Sequence, residues 1–72
     1  MLHSEHYSML IQWSDEDLAY LVTLPEWADR VAMPCTHGAT YEEAAHNGEE
    51  VLRLLLRGEV ERPLPQLYAA VS

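Results

Sequence analysis

Between His6 and Trp13, apolar and polar side chains alternate. Tyr7, Met9, Ile11 and Trp13 fall on one side of an extended chain, and His6, Ser8, Leu10 and Gln12 on the other. This pattern predicts a half-buried strand with good β-formers at both ends. Ser14-Asp15-Glu16-Asp17 then interrupts it with side chains that bond their own backbone in turns. Leu18 to Leu24 resumes the apolar run and Pro25 stops it, so the two segments predict an antiparallel hairpin. From Glu26 to Pro34 the pattern is irregular, with Trp27 and Met33 as apolar anchors. Cys35 to Gly38 predicts a short third strand, kept short because Pro34 lacks the N–H that a central strand position needs.

The strongest local signal is a helix start. Thr40 precedes Glu43 by the three residues of a capping box, with Glu42 also in the first turn. Ala44, Gly48, Val51, Leu52 and Leu55 then recur on one helical face. Gly58 follows Arg57 where a glycine just past a helix belongs, and the arginine suits the negative end of the helix dipole. The spacing predicts a helix from Tyr41 to Arg57. Leu54 and Leu56 lie off its main face, available to a partner chain. Pro63-Leu64-Pro65 is too constrained for a second helix, and Leu67 to Val71 reads as a short edge strand or a docking tail. The expected fold class is α+β: a three- to four-stranded, mainly antiparallel sheet with one helix laid across it. A single domain spans 1–72, with its core over about 6–58 and a tail over 59–72.

Composition sharpens the picture in three ways. At 72 residues, 49% of them hydrophobic, the chain can fold but is short of core. Below about 70–80 residues one core rarely supplies more than ~3–5 kcal/mol, so a homodimer or higher homo-oligomer is expected. Twelve Asp and Glu face four Arg and no Lys, giving a net charge of −8. Direct binding to nucleic acid needs clustered basic residues and is not expected. A basic protein partner, met through complementary fields, suits the same charge. Finally, no stretch approaches the roughly 18–20 apolar residues of a membrane span, and the N-terminus lacks a basic and apolar leader. With the lone Cys35 offering no disulfide framework, the expected compartment is the cytoplasm.

Two stretches resemble a known family. Tyr7 to Asp17, with Ala19-Tyr20 and Pro25-Glu26, resembles the opening hairpin of HicB-like antitoxins. Thr36-His37-Gly38-Ala39-Thr40-Tyr41-Glu42-Glu43-Ala44 resembles that family's T-x-G-x-T-x-E-E-A approach to its helix. Together they carry the resemblance from about residue 6 to residue 65. The resemblance implies a truncated, ribonuclease-H-like β-β-β-α-β fold that forms dimers or higher oligomers. It also implies a partner: a small, basic, mRNA-cleaving HicA-like toxin that the antitoxin neutralises. Many family members add a C-terminal DNA-binding domain, whereas only fourteen residues follow Gly58 here. The expectation is therefore a HicB-type core without that domain. Trp27-Ala28-Asp29-Arg30-Val31 also replaces the short Pro-Gly turn common in the family.

Each group that could carry chemistry also has a plainer role. A two-metal nuclease needs converging carboxylates, yet Tyr7 to Trp13 holds no acidic residue, and Asp15, Glu16 and Asp17 fall in the turn beyond it. A degenerate metal-dependent nuclease is the weakest reading, and no catalytic residue is expected. His3, His6, His37 and His46 form no cage spacing, although His46 shares a helical face with Glu42, Glu49 and Glu50. No metal or other cofactor is expected. Cys35 and His37 share a strand face, but an acidic chain offers little to activate a thiolate. Trp13, Tyr20 and Trp27 could stack bases, but without a basic groove they read as core or interface anchors. The partner-binding residues expected are Glu42, Glu43, Glu49 and Glu50, and the oligomer-interface residues Trp13, Trp27, Leu54 and Leu56. The competing function is that of a stand-alone structural or adaptor domain whose partner is unknown.

Overall fold

Ser14 and Asp17 make the turn on which the sheet is built. The Asp17 N–H donates to Ser14 Oγ at 3.1 Å, and the Ser14 hydroxyl donates back to the Asp17 carboxylate at 3.0 Å. Leu18 closes the turn with φ at 52°, in the left-handed region. In this computed structural model, which describes residues 6–58 and 61–68, the turn joins strands β1 (Leu10–Ser14) and β2 (Ala19–Thr23). They pair antiparallel with Trp13 opposite Tyr20 and Ile11 opposite Val22. Strand β3 (Thr36–Gly38) pairs antiparallel along the other edge of β2, setting Gly38 opposite Tyr20. The sheet order is β1-β2-β3, and with one helix the architecture is α+β.

Helix α1 spans Tyr41–Arg57, as the capping signal predicts. Thr40 Oγ1 accepts the Glu43 N–H at 3.1 Å, and Glu43 Oε1 reaches back to the Ala39 N–H at 2.6 Å. The first bond satisfies an orphan donor of the helix's first turn, and the second ties the same glutamate to the residue before the cap. Small residues let the helix lie close to the sheet. A Cβ on Gly38 would meet the helix backbone, at 2.7 Å from Ala44 Cα and 2.9 Å from the Glu43 carbonyl carbon. One on Gly48 would meet Met9 and Val22 side chains at 2.8–3.0 Å. Ala44 and Gly48 are buried, whereas Val51, Leu52 and Leu55 are only half-buried. The C-terminal half of the helix thus keeps apolar surface in contact with solvent.

The fully buried apolar side chains are Val22, Leu24, Trp27 and Ala44. This corrects the assignment of Trp27 to an oligomer interface. After Pro25 ends β2, a short 3-10 turn (Pro25–Trp27) swings the indole inward, where it has no exposed surface. The Tyr7 ring packs edge-on against it at 5.4 Å.

Three further expectations differ from the structure. The strand predicted from His6 begins at Leu10, because Ser8 gives its N–H to the Glu26 carboxylate at 3.1 Å instead of to a ladder. Gly58 does not take a left-handed cap; its backbone is extended, and its N–H donates to the carbonyls of Leu54 and Leu55. Of the two readings of Leu67 to Val71, edge strand or docking tail, the strand is not formed by Leu67 and Tyr68, and Ala69, Ala70 and Val71 lie outside the described residues. Residues 61–68 instead run back as irregular chain. Tyr7 donates its hydroxyl to Pro63 O at 2.7 Å, and Pro63 is buried. Among the described residues, no helix is long and apolar enough to cross a membrane.

Candidate protein-binding surface

The register of the hairpin and the start of α1 bring three aromatic rings to one end of the molecule. Trp13 and Tyr20 face each other across β1 and β2, edge-on with centroids 5.1 Å apart. Tyr41, the first residue of α1, lies tilted against Tyr20 at 4.3 Å. Tyr20 is half-buried between its neighbours, while Trp13 is 49% and Tyr41 64% exposed. Partial burial, and then the adjacent Tyr41 hydroxyl, hold the Tyr20 phenol above its ordinary pKa. Large aromatic surface left in water at 49–64% exposure is the kind that anchors protein interfaces.

One carboxylate is fixed at the edge of this cluster, and others stand near it in the chain. Asp15 accepts the indole N–H of Trp13 at 2.6 Å, which fixes the ring and sets a negative charge at its edge. Glu16 and Asp17 follow in the exposed hairpin turn, and Glu42 and Glu43 are exposed in the first turn of α1. The four arginines lie elsewhere. Arg30 pairs with Asp29 at 2.9 Å, Arg53 and Arg57 occupy the C-terminal half of α1, and Arg62 donates to Leu56 O at 2.8 Å. The first turn of α1 thus carries Glu42 and Glu43 without an arginine, whereas in the C-terminal half Arg53 and Arg57 share a depression with Glu50.

The expected partner-binding residues divide accordingly. Glu42 follows Tyr41 of the aromatic cluster, whereas Glu43 bonds the Ala39 N–H and faces the depression beside His37 and Asn47. Glu49 and Glu50 sit on the exposed helix surface, with Glu50 3.4 Å from His46. Of the expected interface residues, Trp13 is exposed within the aromatic cluster, Leu54 is 61% exposed beside Glu50, Arg53 and Arg57, and Leu56 is half-buried. The structure does not bring Trp13 and Leu54 into one patch: they lie on β1 and on the last turns of α1. Tyr41 was missed as a site residue. The cap at Thr40 fixes where the helix starts but not what its first residue packs on, which depends on the path of β3.

The remaining chemistry-bearing groups have structural partners. Asp15 and Asp17 serve Trp13 and Ser14 in and beside the turn. Cys35 packs against β2 with its Sγ 3.6 Å from Val22 O, and burial pushes its thiol up. An open depression of about 380 Å³ between the turn and the helix start is lined by Asp17, His37, Glu43 and Asn47, and the Asn47 amide donates to His37 O at 2.7 Å. Among the described residues no group of three or more His, Cys, Asp or Glu is placed to hold a metal ion. Comparison with family profiles, with curated proteins and with solved structures gives no match to this chain.

Proposed function

We propose that this chain is a non-catalytic binding protein of the HicB-like antitoxin type, which holds and neutralises a small basic mRNA-cleaving toxin. The observation that carries the reading is the exposed Trp13–Tyr20–Tyr41 cluster, with Asp15 bonded at its edge and Glu42 next to Tyr41 in the first turn of α1. In such a complex, net charge of −8 speeds encounter with a basic partner. The aromatic surface then holds the complex by excluding water. The β-β-β-α order is that of the first four elements of the β-β-β-α-β fold that the resemblance implies. The protein works as a homodimer or higher homo-oligomer, because its helix keeps Leu54 exposed and Leu52 and Leu55 half-covered.

The test uses the product of a neighbouring small basic open reading frame. That product cleaves RNA alone and loses cleavage when mixed with an excess of this protein. Equal cleavage with and without the protein overturns the antitoxin reading. In that event the apolar helix surface favours the second reading, a stand-alone oligomeric adaptor domain.

A further inference from the structure

Resting on that reading, we propose that the Trp13–Tyr20–Tyr41 cluster is an arginine-reading site, taking one guanidinium from a basic protein partner. Three observations carry it. The rings form a connected row, Trp13 to Tyr20 at 5.1 Å and Tyr20 to Tyr41 at 4.3 Å, whose outer members are 49% and 64% exposed. Asp15 is fixed at the rim by the 2.6 Å bond from Trp13 Nε1, and its second oxygen remains for an incoming donor. Among the described residues, no arginine is paired with Asp15, Glu16 or Glu42: Arg30 bonds Asp29, Arg62 bonds Leu56 O, and Arg53 and Arg57 lie in the far half of α1.

These features select the occupant by chemistry. A nucleic acid or an acidic peptide is repelled by the rim. A purely apolar partner would strip water from carboxylates that it leaves unpaired. A cation meets both parts of the site at once, through the aromatic faces and through the rim. Arginine suits it better than lysine. The guanidinium is planar and weakly hydrated, stacks on aromatic rings and donates in a fork to a carboxylate, whereas the ammonium is a compact, strongly hydrated charge. The preference for arginine should therefore arise at the rings, and overall attraction for cations at the rim.

The experiment measures fluorescence anisotropy of labelled tetra-arginine and tetra-lysine peptides titrated with the full chain at fixed ionic strength. The arginine peptide is expected to bind about three- to fivefold tighter. Tyr41→Ala, at an exposed position, abolishes that preference, and Trp13→Leu does the same by a second route. Asp15→Asn weakens both peptides. Equal affinity of the two peptides, or a preference that survives both aromatic substitutions, overturns the proposal. A chain that self-associates without peptide, and that Tyr41→Ala returns to monomer mass in light scattering, also overturns it by making a second copy the occupant. The two readings fail separately. Toxin neutralisation without arginine preference removes this inference alone, whereas arginine preference without neutralisation removes the antitoxin role.

Discussion

The Glu26 carboxylate accepts the backbone N–H of Gln66, forty residues further along the chain, at 2.8 Å. The same carboxylate takes the N–H of Ser8 at 3.1 Å, so one buried side chain ties the N-terminal segment and the tail to the turn after β2. Burial pushes the Glu26 pKa up, but the N–H groups of Gln66, Glu26 itself and Ser8 outweigh it and hold the value below the ordinary glutamate range. A depressed folded pKa means stability that is present above the unfolded value, about 4.3, and is lost as pH falls through the folded one. Denaturant titrations across pH 6 to 3 should show the wild type losing stability below that value, with part of the slope missing in Glu26→Gln. At neutral pH the substitution should cost about 1–3 kcal/mol, the usual size for hydrogen bonds to a buried charge.

Two glycines differ in what surrounds them, and their alanine variants should differ too. At Gly38 the added methyl collides with the backbone of Glu43 and Ala44, which the capped first turn holds in place. Gly38→Ala is expected to cost about 2–3 kcal/mol by forcing β3 and α1 apart. At Gly48 the close neighbours are the Met9 thioether and a Val22 methyl. Met9 can swing away, and alanine in a helix gains about 1 kcal/mol over glycine. Gly48→Ala should therefore fall within about 1 kcal/mol of wild type in thermal or denaturant unfolding.

Much of this arrangement was legible in local pattern. The cap at Thr40, the end of α1 at Arg57, the turn at Ser14–Asp17 and the alternation that puts Ile11 and Trp13 on one face rest on neighbours within a few residues. What escaped was decided at long range. Nothing near Trp27 in sequence announces that Tyr7, twenty residues earlier, will pack against it, so a core residue resembles an interface residue. Likewise, the partner that ends the strand before Ser8 is a carboxylate eighteen residues away. The aromatic end was half legible: Trp13 and Tyr20 share a hairpin register, but Tyr41 joins them only through the path of β3 into the helix.

Leu18 holds its backbone at φ 52° with its side chain 73% exposed. Side chains other than glycine and asparagine are strained there by about 1–2 kcal/mol, and this leucine recovers little of that by burial. Leu18→Gly removes the strain while freeing the unfolded chain, for a net gain of about 0.5–1 kcal/mol. A higher melting temperature by circular dichroism, with an unchanged far-ultraviolet spectrum, is the expected outcome. A loss would mean that Leu18 makes an apolar contact that outweighs its backbone strain.

The same logic separates folding from assembly in the apolar residues. Trp27 is fully enclosed, and its indole N–H is buried without a partner among the described residues. Trp27→Ala should cost about 3–5 kcal/mol, enough to unfold a domain of this size. Trp27→Phe should be milder than lost volume alone implies, because it removes an unsatisfied donor together with the lost atoms. Leu54 is the opposite case, 61% exposed between charged neighbours on α1. Leu54→Glu should change monomer stability by less than about 0.5 kcal/mol. If the exposed side of the helix mediates self-association, that variant should shift the light-scattering mass from a multiple of 8.2 kDa to 8.2 kDa with the fold intact. A wild type already at monomer mass, or a variant still associated, would move the search for the oligomer contact to the open edge of β1, where Leu10 is also exposed.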